Sequence, residues 1–426
     1  MGSSAGYHSP QTTCICKSKL MQYVFPKDFI FGTSTAAAQI ETAFEHDWQG
    51  VVAKDGYVFD RTTDHELRFA EDAELIASLA PYYRMGLLWS KLQRAPWATF
   101  DPQTLFEYKQ FIANLRNRGV KIMMVLHHFT NPRWFAEKGG WEQSENIALW
   151  VDFAKKVVDH FGEDVTLWNT FNEPNVYASN GWITGYFPPF KNNPTRAAMV
   201  VKNMGLAHNQ MYAYIKQKFP SQPVGISHNA ILFTSENILG WFPERLSDWW
   251  FMDWVPSHFE QVDFFGMSYY ARVSHDPMPI TYLNSPEKIK KLGKPHDDMW
   301  EYHPEGLRAC IKRYWDKYKK PIIITESGVA DSTDELRQKA IGDYARILHE
   351  SLQAGIDIKG YFWWSTWDNF AWNLGPSMKF GLYACNPETK DRIKRPSADS
   401  FRRLAHHKMI EIADSNIKIE APELTR

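Results

Sequence analysis

The chain has 426 residues, with 48 Lys and Arg against 49 Asp and Glu, and aromatic residues make up 15% of it. A charge balance this close to zero argues against nucleic acid or an anionic membrane surface as the main partner, because both need a basic excess. No apolar run approaches the ~20 residues of a bilayer span. Most of the aromatic rings must fill a large core, and any surplus suits a carbohydrate site, where ring faces stack on the C–H faces of sugars.

The opening stretch "MGSSAGYHSPQTTCICKSKL" is polar and lacks the apolar centre of a secretory signal. Residues 1–24 are therefore expected to be a polar extension, disordered or left over from cloning, and a cytoplasmic location is expected. Cys14, Cys16, Cys310 and Cys385 are too few and too scattered for a disulfide framework. The Cys14/Cys16 pair has no second pair to complete a zinc site, so plain reduced thiols are expected.

From residue 25 on, short β-rich runs recur. They read "FIFGTST" (29–35), "YYRMGLLW" (82–89), "KIMMVLHHF" (121–129), "VTLWNTFNE" (165–173), "PVGISHNA" (223–230), "VDFFGMSYY" (262–270), "PIIITESG" (321–328) and "KGYFWWSTW" (359–367). Helical spacing marks 72–80 before the second run, 104–119 before the third, 146–162 before the fourth and 334–355 before the eighth. Eight nearly continuous apolar strands alternating with helices predict a parallel sheet covered on both faces, most simply a single (β/α)8 TIM barrel over 25–415 with a tail at 416–426. An open doubly wound sheet is the competitor, but "FGTSTAAAQIE" has one glycine where a G-x-G-x-x-G phosphate loop would stand.

Barrel chemistry sits at the C-terminal strand ends. Glu173 ends the fourth predicted strand and Glu326 lies at the end of the seventh, so both should face one mouth. Gln39, Arg84, His128, Asn172, Tyr270 and Trp364 are placed at the same end. Two carboxylates across a pocket suit glycoside hydrolysis, one protonating the leaving oxygen while the other attacks the anomeric carbon or activates water. A neighbouring arginine would keep one ionised and burial could keep the other protonated. "HH" at 127–128 has no carboxylate at helical spacing, and adjacent strand residues face opposite ways, so no metal site is expected and one of the pair should be a core histidine.

The motif series resembles glycoside hydrolase family 1, the β-glucosidase and β-galactosidase family. "TFNEP" resembles its acid/base motif and "ITESG" its nucleophile motif. "FIFGTSTAAAQIETA", "YYRMGLLWSKL", "LHHFTNPRWF", "FGMSYYA" and "WWSTWDNFAWNLGPSMKFGLY" resemble its other signatures in the right order, from about residue 25 to 405. The resemblance implies a retaining exo-β-glycosidase acting on a small carbohydrate or glycoside, without cofactor or metal. It implies Glu326 as nucleophile, Glu173 as acid and then base, Arg84 and Tyr270 holding Glu326, and Asn172 on the sugar 2-hydroxyl. Gln39, His128 and Trp372 would grip ring hydroxyls and Trp364 would stack beneath the ring.

Four positions depart from that pattern. Ala371 stands where the family has a glutamate that clamps the 4- and 6-hydroxyls, which implies an altered glycone: deoxy, uronic, otherwise modified, or 6-phosphorylated. The phosphate-binding Lys and Tyr of the 6-phospho enzymes align with Met378 and Phe380, with Lys379 one place off. Ser268 and Ser327 replace asparagines and keep a hydrogen-bonding group, and Ala38 replaces an aromatic or histidine. The stretch 44–65 looks short, implying an open aglycone side. A transglycosidase on the same scaffold and a non-catalytic sugar-binding barrel remain as alternatives, the second disfavoured by retention of both glutamates.

Overall fold

The structure, a computed structural model, describes residues 20–235, 238–259, 261–275, 289–290 and 293–413. Its strands in chain order are β1 (Leu20–Val24), β2 (Ile30–Ser34), β3 (Tyr82–Gly86), β4 (Lys121–His127), β5 (Val165–Asn172) and β6 (Val224–Ser235). They continue with β7 (Phe264–His275), β8 (Ile322–Ser327), β9 (Ile358–Trp364), β10 (Tyr383–Cys385), β11 (Arg392–Lys394) and β12 (Met409–Ala413). Strands β2 to β9 close into a parallel barrel in sequence order, with β9 returning to β2. The eight-stranded barrel expected from the sequence is the one observed.

A layer of apolar side chains plugs the barrel below the site. Ile30, Met123, Leu167, Phe264, Ile323 and Phe362 form one buried cluster, with Tyr82 packed on it. Strand β6 contributes Gly225 at this level because the space is taken: a Cβ there would lie 2.5 Å from the Phe264 ring. Side chains alternate along each strand. Two residues above the plug, Arg84 follows Tyr82 and Trp364 follows Phe362 on the same faces, so the next level up is where polar groups and aromatics gather.

The expected helices appear as Phe69–Leu79, Pro102–Asn117, Ile147–Phe161 and Glu335–Gln353. The sequence reading did not single out Pro194–Lys218, a 25-residue helix. Its inner face carries buried Asn203 and His208 among apolar residues. Strands β6 and β7 run five residues past the expected ends at 230 and 270. Beyond a register shift they pair only with each other, from Leu232 opposite Arg272 to Ser235 opposite His275. A two-stranded ribbon rising out of the barrel needs no continuous apolar run, so the pattern that identifies buried strands stops short of it. Strand β3 in turn ends at Gly86 and β9 at Trp364, short of the expected 89 and 367.

The N-terminal boundary also moves. Residues 1–19, including Cys14 and Cys16, lie outside the described residues, as does the expected tail 416–426. Leu20–Val24, assigned to the extension, instead form β1 and pair antiparallel with β12, joining the first and last described strands. Cys310 and Cys385 are free thiols; burial pushes Cys310 up to about 12. Among the described residues no helix is long and apolar enough to cross a membrane.

Candidate active site

Strand β5 ends at Asn172, and the next residue turns the chain into the helix Pro174–Trp182. Glu173 makes that turn in the left-handed region at φ 42° and ψ 61°, a conformation costing of order 1–3 kcal/mol for a residue with a Cβ. The surroundings hold it there: its N–H donates to the Ser227 carbonyl at 2.8 Å and its carbonyl accepts from Tyr177 N–H at 2.9 Å. Pro174 suits the first helical position, with φ already set and no N–H left unpaired. Strand β8 ends at Ser327, one residue past Glu326, and the glycine that follows has a steric cause. A Cβ on Gly328 would lie 1.9 Å from the Trp364 carbonyl oxygen.

The two carboxylates share a cavity of about 250 Å³, whose lining also includes Gln39, His128, Asn172, Tyr270, Trp364, Ala371 and Trp372. Arg84, fully buried, is the sequence-identified residue behind this wall rather than on it. Its Nη1 donates to Glu326 Oε1 at 2.5 Å and to Ser34 Oγ at 3.1 Å. Its Nη2 donates to Asn172 Oδ1 at 2.6 Å and to Ser227 Oγ at 3.2 Å. Tyr270 OH donates to the other oxygen of Glu326 at 2.9 Å.

Because Arg84 can only donate, it fixes the Asn172 amide with its NH2 group toward His128, 3.0 Å from Nε2. His128 Nε2 must accept there, so Nδ1 carries the proton of a neutral ring. Burial, then the Arg84 charge, hold this histidine well below its ordinary range. Its neighbour His127 packs the other way, against Asn131 and Trp141, as the alternation of strand faces requires.

Glu173 sits in a different electrostatic setting. Asn229 Nδ2 donates to its Oε1 at 2.8 Å, and Ser268 Oγ donates to the same oxygen. Burial, then the negative charge of Glu326, raise it to about 7, against the pull of those hydrogen bonds and of Arg84. Burial also raises Glu326, but the Arg84 charge and the hydrogen bonds from Tyr270 and Arg84 draw it back. Near neutral pH the pair can therefore hold one proton, favoured on Glu173, and one negative charge, favoured on Glu326. Tyr270 is held well above its usual range by burial and by both carboxylates, so it remains a donor.

Two buried polar atoms of the wall, Gln39 Oε1 and His128 Nδ1, have no protein partner among the described residues. Such atoms are uncommon in native interiors and suit a hydroxyl-rich ligand. Gln39 itself is held by its Nε2, which donates to the Phe370 carbonyl at 2.6 Å and to Asn369 Oδ1 at 3.2 Å. Trp372 lies 5.3 Å from Phe129 and 5.0 Å from Trp48 between ring centroids. Trp48, together with Phe59 whose ring centroid lies 6.1 Å from that of Trp372, thus places the 44–65 segment against this wall.

Besides Ala371, the cavity lining includes the apolar side chains of Phe380, Met299 and Trp300. Lys379 is absent from it, and its Nζ donates to the Pro376 carbonyl at 2.7 Å. Among the described residues no group of three His, Cys, Asp or Glu side chains is placed to hold a metal ion.

Sequence reasoning missed Asn229 and gave Ser268 no part beside Glu173. The two residues are register partners on β6 and β7. A signal existed: Ser227 and Asn229 put polar groups on one face of an otherwise apolar run.

The sequence profile of glycosyl hydrolase family 1 matches residues 21–235 and 258–410. A β-galactosidase of Pyrococcus woesei is 27% identical over 499 residues, covering 89% of this chain and 96% of its own. A β-glycosidase structure from Pyrococcus horikoshii superposes with a TM-score of 0.81 at 29% identity, covering 92% of this chain and 96% of that one. A chloroplastic galactolipid galactosyltransferase of Arabidopsis thaliana is 26% identical over 365 residues, which cover 78% of this chain and 55% of that protein.

Proposed function

The chain belongs to glycosyl hydrolase family 1 and is a glycoside hydrolase, and on that premise we propose that it is a retaining exo-β-glycosidase whose glycone differs from plain glucose or galactose. The carrying observation is the unequal pair: Glu326 against Arg84 and Tyr270, Glu173 raised to about 7 in the same pocket. Glu326 attacks the anomeric carbon while Glu173 gives its proton to the leaving oxygen, and the aglycone departs as an alcohol. Glu173, now ionised, takes a proton from water, whose oxygen displaces Glu326 and releases the sugar with its configuration retained. Asn172, Gln39, His128 and Trp372 bind hydroxyls, and Trp364 carries the ring.

Ala371 removes an anionic clamp, and Phe380, Met299 and Trp300 line the same cavity. The loss of that acceptor in a cavity with these apolar residues favours a sugar with fewer polar groups, such as a 6-deoxy glycone. A 6-phospho sugar is disfavoured, since Lys379 is engaged by a backbone carbonyl outside the lining.

A panel of aryl β-glycosides in gluco, galacto, fuco, manno, glucurono and 6-phospho forms, run with the wild type and Glu326→Ala, tests the reading. Turnover of at least one member that vanishes in the variant is expected, with the fuco form favoured. Turnover that survives Glu326→Ala would remove the assignment. A second reading is transfer of the glycosyl group to a sugar hydroxyl, favoured by the similarity to a galactosyltransferase. Product analysis with added acceptor sugars separates it from hydrolysis.

A further inference from the structure

Large apolar side chains stand exposed along one helix beside the pocket. On Ile238–Asp248 and the residue after it, Ile238, Leu239, Trp241, Phe242, Leu246 and Trp249 are each between 46% and 87% exposed. Their spacing puts them on one face. The opposite face is held to the protein: Gly240 and Ser247 are buried, Glu244 accepts from Ser235 Oγ at 2.7 Å, and Asp248 accepts from Arg313 at 2.5 Å. The polar residues thus point the helix inward while its greasy face looks out.

The helix follows β6, whose C-terminal end rises above the barrel mouth with β7. Ile231 and Phe233 on β6, Val273 on β7, and Phe251, two residues past Trp249, line the pocket. An apolar wall therefore leads from the exposed face toward the carboxylates.

Side chains this exposed protrude, so the face offers no groove for a peptide strand or helix. Six residues on this helix and just after it also fall well short of the roughly 20–30 residues a side of a stable dimer. A protruding face of tryptophan with aliphatic residues is what a lipid headgroup layer accepts. Its charge fits an uncharged or zwitterionic surface rather than an anionic one: Arg245 lies 5.9 Å over the Trp241 ring, and the segment 238–249 carries no other basic residue.

We propose that this helix and Trp249 dock the enzyme on an electrically neutral lipid surface, so that the pocket receives the sugar of a glycolipid whose apolar aglycone stays in that surface. The proposal rests on the glycosidase reading above and adds no chemical step to it. The test uses the full chain, phosphatidylcholine vesicles, and a Phe242→Ser/Leu246→Ser variant, neither residue lining the pocket.

The wild type should float with the vesicles, and brominated phosphatidylcholine should quench its tryptophan fluorescence. The variant should lose flotation by about tenfold or more and keep aryl-glycoside turnover within about twofold. Its release of sugar from vesicle-held β-fucosyl diacylglycerol, the glycone favoured in the aryl panel, should fall at least about tenfold. A wild type that stays out of the vesicles and is not quenched overturns the proposal, as does a variant that floats equally well. Loss of flotation with a change from dimer to monomer in sedimentation velocity would assign the face to a second copy instead. If the variant aggregates, quenching of the wild type still decides. Vesicle binding without aryl-glycoside turnover would sink the glycosidase reading and leave docking standing.

Discussion

Burial raises both Glu173 and Glu326, and what separates them is the second group each meets: the charge of Glu326 for the first, the guanidinium of Arg84 for the second. If Glu173 must be protonated to act, kcat/KM falls as pH rises through about 7, the value to which it is raised. A pH profile flat from 6 to 9 would contradict that. The same argument gives a direct titration. Glu326→Gln removes a negative neighbour, so the Glu173 carboxyl followed by carbon-13 NMR should titrate lower than in the wild type; an unmoved titration would deny the coupling. Arg84→Met leaves Glu326 buried without its partner, which costs roughly 3–5 kcal/mol in a urea unfolding titration at pH 8. A loss below about 1 kcal/mol would mean that Glu326 is neutral at that pH in the wild type. At this scale the sequence was legible where a chemical residue ended an apolar run, as with Glu173 and Glu326. Asn229 and Ser268 stayed hidden because their meaning lies in the pairing of β6 with β7, which no single strand reveals.

Barrel strands announce themselves because both of their faces are buried, and the eight apolar runs locate β2 to β9 to within a few residues. The ends of β6 and β7 depart from a uniform apolar pattern because they leave the barrel. Small residues inside the barrel are as informative as large ones. Gly225 leaves room for Phe264 in the plug, so Gly225→Ala should cost roughly 1–3 kcal/mol by overpacking, read from chemical denaturation. A change under about 0.5 kcal/mol would mean that the plug yields to one methyl group.

Across the whole molecule, the first and last described strands and the C-terminal hairpin close the structure by means the sequence pattern could not show. Strand β1 pairs with β12, 385 residues or more away in the chain. Arg392, on β11, reaches Asp72 with Nε at 2.9 Å and Nη2 at 2.8 Å, and His65 Nδ1 lies 2.7 Å from the same carboxylate. Burial pushes Asp72 up, but the hydrogen bonds and charges of His65 and Arg392 outweigh it and hold the group below its ordinary range. A depressed carboxylate contributes stability above its unfolded value that is lost as pH falls through the folded one. The Asp72→Asn variant should lose roughly 3–5 kcal/mol near pH 7, with the gap to wild type narrowing in acid. A gap independent of pH would place the ion pair outside the stability balance. The central claim is that Glu326 forms a covalent bond to the sugar, and mass spectrometry after incubation with an activated 2-deoxy-2-fluoro glycoside tests it most directly. One glycosyl unit on the peptide carrying Glu326 is the expected result, and an unlabelled Glu326 together with first-formed product of inverted configuration would contradict the account.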